Sequence, residues 1–435
     1  MIRRLFFFLS AIVLLLTACS DNDSFSAGSS YRLTFSEDTV RLDTLFSTVP
    51  STTHSFWVYN NSGDGIRIRN VRLERGNQSG FRANVDGTFL NPVATDLEVR
   101  KGDSIRVFIE ITARENMQPT PQLVEDHLLF ALESGVEQRV NLRTYAWDAQ
   151  KVTDLVVSSD MTINQKKPLV LYGKGITVAD GATLTIKNTT LFFHDGAGID
   201  VKGRLVGDSV VMRGDRLDHM FDYLPYDRIS GQWRGITVAA NSKGIKLTDC
   251  TVRNTLTALW CDSTKVELTQ TVIHNCKGHG LYAHDSDVTM KKSLISNTLN
   301  DCLALHGTSA VVDSVTLAQF YPFSASRGAA LRFAKTQKPM SLTITNTMAT
   351  GYDDDTVFGD GRDGETVNFS FKNCLLRTPE VNDAEAFVDM IWEKPTDAIQ
   401  GKAHFINVDE SNFIYDFRLK EESPASQHGI GWPGR

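Results

Sequence analysis

The chain has 435 residues, 41% of them hydrophobic and 22% charged, which is enough apolar material for two or three separate cores and does not suggest disorder. A formal net charge of -7, with no run of five or more Lys or Arg, argues against a protein that grips a phosphate backbone, so nucleic acid is not an expected partner.

The N-terminus reads as an export signal: Arg3 and Arg4, the run "LFFFLSAIVLLL", then "LTAC" ending at Cys19. The apolar run is shorter than the roughly 20 residues that a membrane-spanning helix needs, so removal is expected rather than retention. "LTAC" resembles the lipobox of bacterial lipoproteins. That resemblance implies cleavage before Cys19 and diacylglyceryl attachment to its sulfur, and two or more acyl chains make a stable membrane anchor. The following "SDNDS" is similar to the acidic signal that sends some lipoproteins to the outer face of the outer membrane, which implies a cell-surface location. Residues 20–30, small, polar and acidic, are expected to form a tether.

From 31 to 148 apolar residues alternate at period two: Phe56 and Val58, Ile66 and Ile68, Val71 and Leu73, Ile105 through Ile111, Val140 and Leu142. Turn clusters such as "NNSGDG" and "RKGDS" separate them, so half-buried antiparallel strands are expected. The strand pattern resembles the immunoglobulin-like β-sandwiches of bacterial envelope proteins, and implies a spacer or docking platform.

Near Val152 the rhythm changes. The pattern apolar-x-apolar-x-(Asn/Asp)-(Ser/Thr/Cys)-apolar aligns "LTIKNTT", "RLVGDSV", "IKLTDCT", "VELTQTV", "VTMKKSL", "AVVDSVT", "LTITNTM" and "FSFKNCL". Its small residue is placed at Thr189, Ser209, Cys250, Thr271, Ser293, Ser314, Thr347 and Cys374, at intervals of 20, 41, 21, 22, 21, 33 and 27. A second apolar set keeps step: Ile236, Leu259, Leu281, Leu303 and Leu331, each followed two places on by Val238, Cys261, Ala283, Leu305 and Phe333. Short strands at a fixed period of this length, without helical segments, mean a β-solenoid of stacked coils sharing one core. Three short strands per coil are expected. Residues 152–420 resemble the right-handed parallel β-helix of the pectate-lyase-like superfamily, in architecture rather than in catalytic residues. "FIYDFRLKEESPAS" is similar to the closing coil of bacterial β-helix repeat proteins, leaving 421–435 as a C-terminal tail. The five cysteines after Cys19 show no metal or redox spacing and are expected to pack as small apolar groups.

The period decides how "CKGHGLYAHDSD" is read. His284 falls 22 residues after Asp262 and 22 before His306, so the three should form a ladder across coils. Trp260 and Tyr282 occupy the outward position between two core residues, with Thr237 before them and Ala304 after. Exposed rings stack on the apolar faces of sugars while carboxylate and imidazole groups bond hydroxyls. Trp260, Asp262, Tyr282, His284 and His306 are therefore the candidate carbohydrate-binding residues. Gly-His-Gly also occurs in pectin hydrolases, but their adjacent aspartate pair one coil earlier is missing from "TLTALWCDST", and no catalytic set is complete. His279 is placed near a turn, with Gly278 and Gly280 serving the bend.

Two insertions break the period. Arg213–Trp233 is expected either to overhang the neighbouring face as a lid or to cap a core edge. Gly351–Glu365 offers Asp353, Asp355 and Asp360 as calcium ligands, although it lacks EF-hand spacing and reads first as a solvated acidic loop; no other cofactor is expected. The whole reads as an all-β, lipid-anchored envelope protein: a β-sandwich, then a right-handed parallel β-helix whose surface binds an extended polymer, foremost a polysaccharide. The alternatives are a polysaccharide lyase or glycoside hydrolase, and a structural or adhesive surface protein.

Overall fold

A computed structural model describes residues 24–219 and 225–434. The expected signal run, the acylation site Cys19 and the first part of the tether lie outside the described residues. The chain divides after Trp147 into two compact units.

In the first unit a five-stranded and a six-stranded sheet enclose one apolar core, with Phe56, Val58, Val107 and Ile109 facing Ile68, Leu128, Phe130 and Val140. The strands expected from alternation are present: His54–Tyr59, Ile66–Leu73, Ser104–Ile111 and Glu137–Trp147. Each buries every second residue, the period-two geometry of a half-buried strand. Pairing is antiparallel except where Thr39–Arg41 and Leu45–Phe46 run parallel to Glu137–Trp147. The segment expected to be a free tether is tied down from Ser24 onward. Its hydroxyl donates to Asp64 at 2.6 Å, and the Phe25 ring lies under the Arg67 guanidinium at 4.6 Å.

The second unit is a parallel β-helix. A representative coil runs Leu281–His284, Asp287–Lys291, Leu294–Thr298, three short strands as expected. First strands stack in register on first strands, Leu259 on Leu281 on Leu303 on Leu331, and the second strands make a ten-stranded sheet of their own. One coil has nowhere to put its inward side chains; stacking about 4.8 Å apart gives Leu281, Ala283, Val288, Met290 and Ile295 a common core with their equivalents above and below. Cys250, Cys261, Cys276, Cys302 and Cys374 are all wholly buried within that core.

The register corrects the repeat at two places. Lys187, Asp208, Thr248, Thr269, Lys291, Asp313, Thr345 and Lys372 are successive partners along the second-strand sheet. The residue after each, from Asn188 and Ser209 to Ser314 and Asn373, turns the corner with φ between 47° and 56°. The buried position comes one residue later, so Val210 and Val315, not Ser209 and Ser314, align with Thr189, Cys250, Thr271 and Ser293. The left-handed corner favours Asn and Asp, but here Ser209 and Ser314 take it, and Asp208–Ser209 and Asp313–Ser314 match the Asp-then-small pattern one place early, which drew two serines into the wrong column. Where the inward residue is a hydroxyl it is satisfied: Ser293 Oγ donates to Lys291 O at 2.7 Å and accepts from Thr271 N at 3.0 Å.

The C-terminal segment is not a closing coil. Phe405–Asp409 and Ile414–Leu419 form an antiparallel hairpin, followed by the short helix Pro424–Gln427. The hairpin lies along the third strands, where the row Leu294, Thr316, Met348 and Leu375 is apolar but for Thr316; Phe405, Phe417, Ala425 and Ile430 cover it. An apolar row on the outside of a solenoid needs such a cover.

Candidate functional site

The first-strand rows build the site. Each strand alternates core and surface residues, so Leu259 and Cys261 point inward while Trp260, 43% exposed, points out. Register places Trp260 beside Tyr282, and the rings stack with centroids 4.1 Å apart and planes 19° from parallel. In the adjacent row Asp262, His284 and His306 are direct partners on three successive coils. His284 Nδ1 lies 3.1 Å from Asp262 Oδ1, and this hydrogen bond holds the Asp262 carboxyl below its usual value. The His306 ring packs on Tyr282 at 5.2 Å, and burial lowers its pKa. All five expected residues share one face.

Ala304 departs from the expectation for that row. It occupies an outward register between Tyr282 and Arg332 yet is fully buried.

The structure adds three residues. His279 is no turn residue standing apart: its ring packs on Tyr282 at 5.3 Å, and its Nδ1 is 3.6 Å from Asp301 Oδ2, too far for a hydrogen bond. That nitrogen is buried without a hydrogen-bond partner. Burial pulls the His279 pKa down against the opposing pull of Asp301. Asp301 is buried and accepts from Arg332 Nε at 3.1 Å and from the Ala329 amide at 2.7 Å. Arg332 in turn lies over the exposed Phe358 ring at 5.1 Å. Gly278 and Gly280 are required by close approach rather than by a left-handed φ, since a Cβ at Gly280 would collide with Ile295 and Cys302. At the other edge Asp285 accepts from Thr336 Oγ1 at 2.6 Å and lies 3.8 Å from Lys338 Nζ.

Among the described residues the first insertion does not join this face, whereas the second reaches it through Phe358, the partner of Arg332 in the next coil. In the described part of 213–233, Trp233 is a core residue stacked on Phe193 at 4.1 Å, and Arg228, Ser230 and Asp227 bond Asn412, Tyr321 and Asn254. This is the capping role rather than the lid. The acidic loop is spent on local partners: Asp354 pairs with Arg377 at 2.8 Å, Asp355 accepts from Thr378 at 2.6 Å, and Asp360 from the Lys335 amide at 2.8 Å. Asp353 offers its carbonyl to Arg377. Among the described residues, no group of three or more His, Cys, Asp or Glu is placed to hold a metal ion.

Residues 155–317 match the family described as a right handed beta helix region. With the stacked parallel sheets, this makes the second unit a right-handed parallel β-helix. No curated protein matches the chain. Among solved structures it is similar to a family 123 glycoside hydrolase from Clostridium perfringens (8% identity, 29% of this chain and 30% of that one, TM-score 0.20). It is also similar to the catalytic unit of a GH87 alpha-1,3-glucanase from Streptomyces thermodiastaticus (11%, 84% and 97%, TM-score 0.22). A third is the pectate lyase Pel3 from Pectobacterium carotovorum (12%, 79% and 88%, TM-score 0.18). The chain spans under a third of the first of these, and at such scores none bears on what the β-helix binds.

Proposed function

We propose that the chain is a lipid-anchored envelope protein whose β-helix presents a polysaccharide-binding face. The single observation that carries this reading is the Trp260–Tyr282 stack, exposed on a rigid row and flanked by the Asp262–His284 pair. Stacked face to face, the two rings offer their edges and the Trp260 face turned away from Tyr282 to the apolar face of a sugar, and the neighbouring carboxylate and imidazoles supply acceptors and donors for hydroxyls. The face is ordered by coil stacking before any ligand arrives, so binding need not order it. Cleavage is the second reading, favoured by the grouping of His279, Asp301 and Arg332 beside the same rings. Against it, the nearby carboxylates are already engaged, Asp262 by His284, Asp285 by Thr336 and Asp301 by Arg332.

Affinity electrophoresis of the soluble chain through gels containing acidic or neutral polysaccharides tests the binding reading. Each ring contributes about 0.5–1.5 kcal/mol of stacking, so Trp260→Ala with Tyr282→Ala should weaken retention about fivefold or more. Retention unchanged in the double variant would place binding elsewhere. New reducing ends or unsaturated-uronate absorbance would favour cleavage.

A further inference from the structure

A second site stands on the third-strand side. Arg253 sits beside His274 on neighbouring coils, and its Nε is buried without a hydrogen-bond partner. Among the described residues its guanidinium makes no ion pair. Burial lowers its pKa, and the carboxylate opposing that effect, Asp227, is itself held by His219 at 3.1 Å and Arg228 at 3.7 Å. A half-buried charge left this way is costly unless an anion meets it.

Arg253 opens onto a pocket of about 300 Å³ between the third strands and the C-terminal hairpin, lined also by His274, Tyr415, Phe417, Arg418 and Trp432. Arg418 is spent on Asp416, with Nε 2.9 Å from Oδ1. His274 Nδ1 is 2.9 Å from Ser296 Oγ, and burial pulls the ring down to about 3, so it is neutral and adds no second charge. The walls therefore hold one unbalanced positive charge. Tyr415 and Phe417 lie with planes 3° apart, and Trp432 Nε1 is a buried donor without a partner. The volume is at the small end of ligand pockets, about 300–1,000 Å³.

We propose that this pocket binds a sugar acid of monosaccharide size, its carboxylate against Arg253 and its ring against Tyr415, Phe417 and Trp432. A bare oxyanion would use the charge and leave the rings idle; a neutral sugar would use the rings and leave the charge unmet. The site is separate from the Trp260 and Tyr282 row, which belongs to the first strands.

Calorimetry and thermal melting of the full chain with galacturonate, glucuronate, glucose and inorganic phosphate at matched ionic strength test it. The uronates should bind and raise the melting temperature, with glucose and phosphate at least about tenfold weaker. Arg253→Gln should lose the uronate response while melting no lower than the parent without ligand. Trp432→Ala, on another wall, should weaken uronate binding as well. The Trp260→Ala, Tyr282→Ala double variant should keep it, which separates this site from the polysaccharide face. Equal binding of glucose or phosphate, an unchanged response in Arg253→Gln, or loss of the response in the double variant would each overturn the proposal.

Discussion

The C-terminal segment is locked to the last coils by Glu393, and removing that carboxylate should cost the β-helix unit much of its stability. Glu393 and His404 are buried to 3% and 0% exposure. The carboxylate accepts from Arg377 Nη1 at 2.5 Å, the Gly401 amide at 2.7 Å and Thr350 Oγ1 at 2.9 Å, and lies 3.1 Å from His404 Nε2; His404 Nδ1 reaches Ser423 Oγ at 2.8 Å. Glu393→Ala leaves four buried partners without their acceptor. Breaking a buried pair from one side costs about 3–5 kcal/mol, which for a unit of this size lowers the melting point by about 6–20 °C. Thermal unfolding followed by circular dichroism at neutral pH reads this directly, with Glu393→Gln as the milder control that keeps an acceptor. Burial pulls the Glu393 pKa up, but the hydrogen bonds from His404, Arg377 and Gly401 outweigh it and leave the folded value lowered. The contribution is thus complete above about pH 4.3 and drains away as pH falls through the lowered folded value. The acid limb of the stability curve should flatten in Glu393→Gln. A melting point within 2 °C of the parent in Glu393→Ala would refute the view that this network holds the segment down.

Leu281→Ala, at a fully buried position between Leu259 and Leu303, should cost about 2–5 kcal/mol in urea unfolding, since the stacked neighbours hold the cavity open. A loss below 1 kcal/mol would mean the coils collapse around it. The five buried cysteines should resist a thiol reagent until the chain unfolds, because none reaches the surface and burial raises the thiols of Cys261, Cys276, Cys302 and Cys374, Cys276 and Cys302 to about 12 and Cys374 to about 11. Prompt labelling of the folded protein would contradict that. Because burial holds His279 and His306 below their usual values, both are neutral at pH 7, and in a His284→Gln variant polysaccharide retention should stay flat from pH 8 to 6.5. A steep change in that window would assign the binding to a charged histidine.

The coil stack was legible because its signal is periodic: inward residues such as Leu259, Leu281 and Leu303 repeat at the spacing that stacking requires, and the same count places Asp262, His284 and His306 side by side. Arg332 was equally legible, standing between the core residues Leu331 and Phe333, but a loop before it stretches the interval from Ala304 and breaks the count. Asp301 and His279 sit two places before the core residues, at the coil corner, where alternation says nothing about exposure. The hairpin was misread because "FIYDFRL" alternates like any strand, and its partner Phe405–Asp409 pairs locally and antiparallel instead of one coil away. Arg253 gave no signal at all, since a lone arginine in a strand is ordinary until the carboxylates around it are known to be engaged by other cations.

The most direct test is histidine footprinting with diethyl pyrocarbonate and mass spectrometry, with and without a polysaccharide that the protein retains. A sugar chain laid along the first-strand rows predicts that His284 and His306 are labelled several-fold more slowly in its presence, while His54 and His127 of the sandwich are unaffected. Unchanged labelling of His284 and His306 under saturating polysaccharide would contradict it.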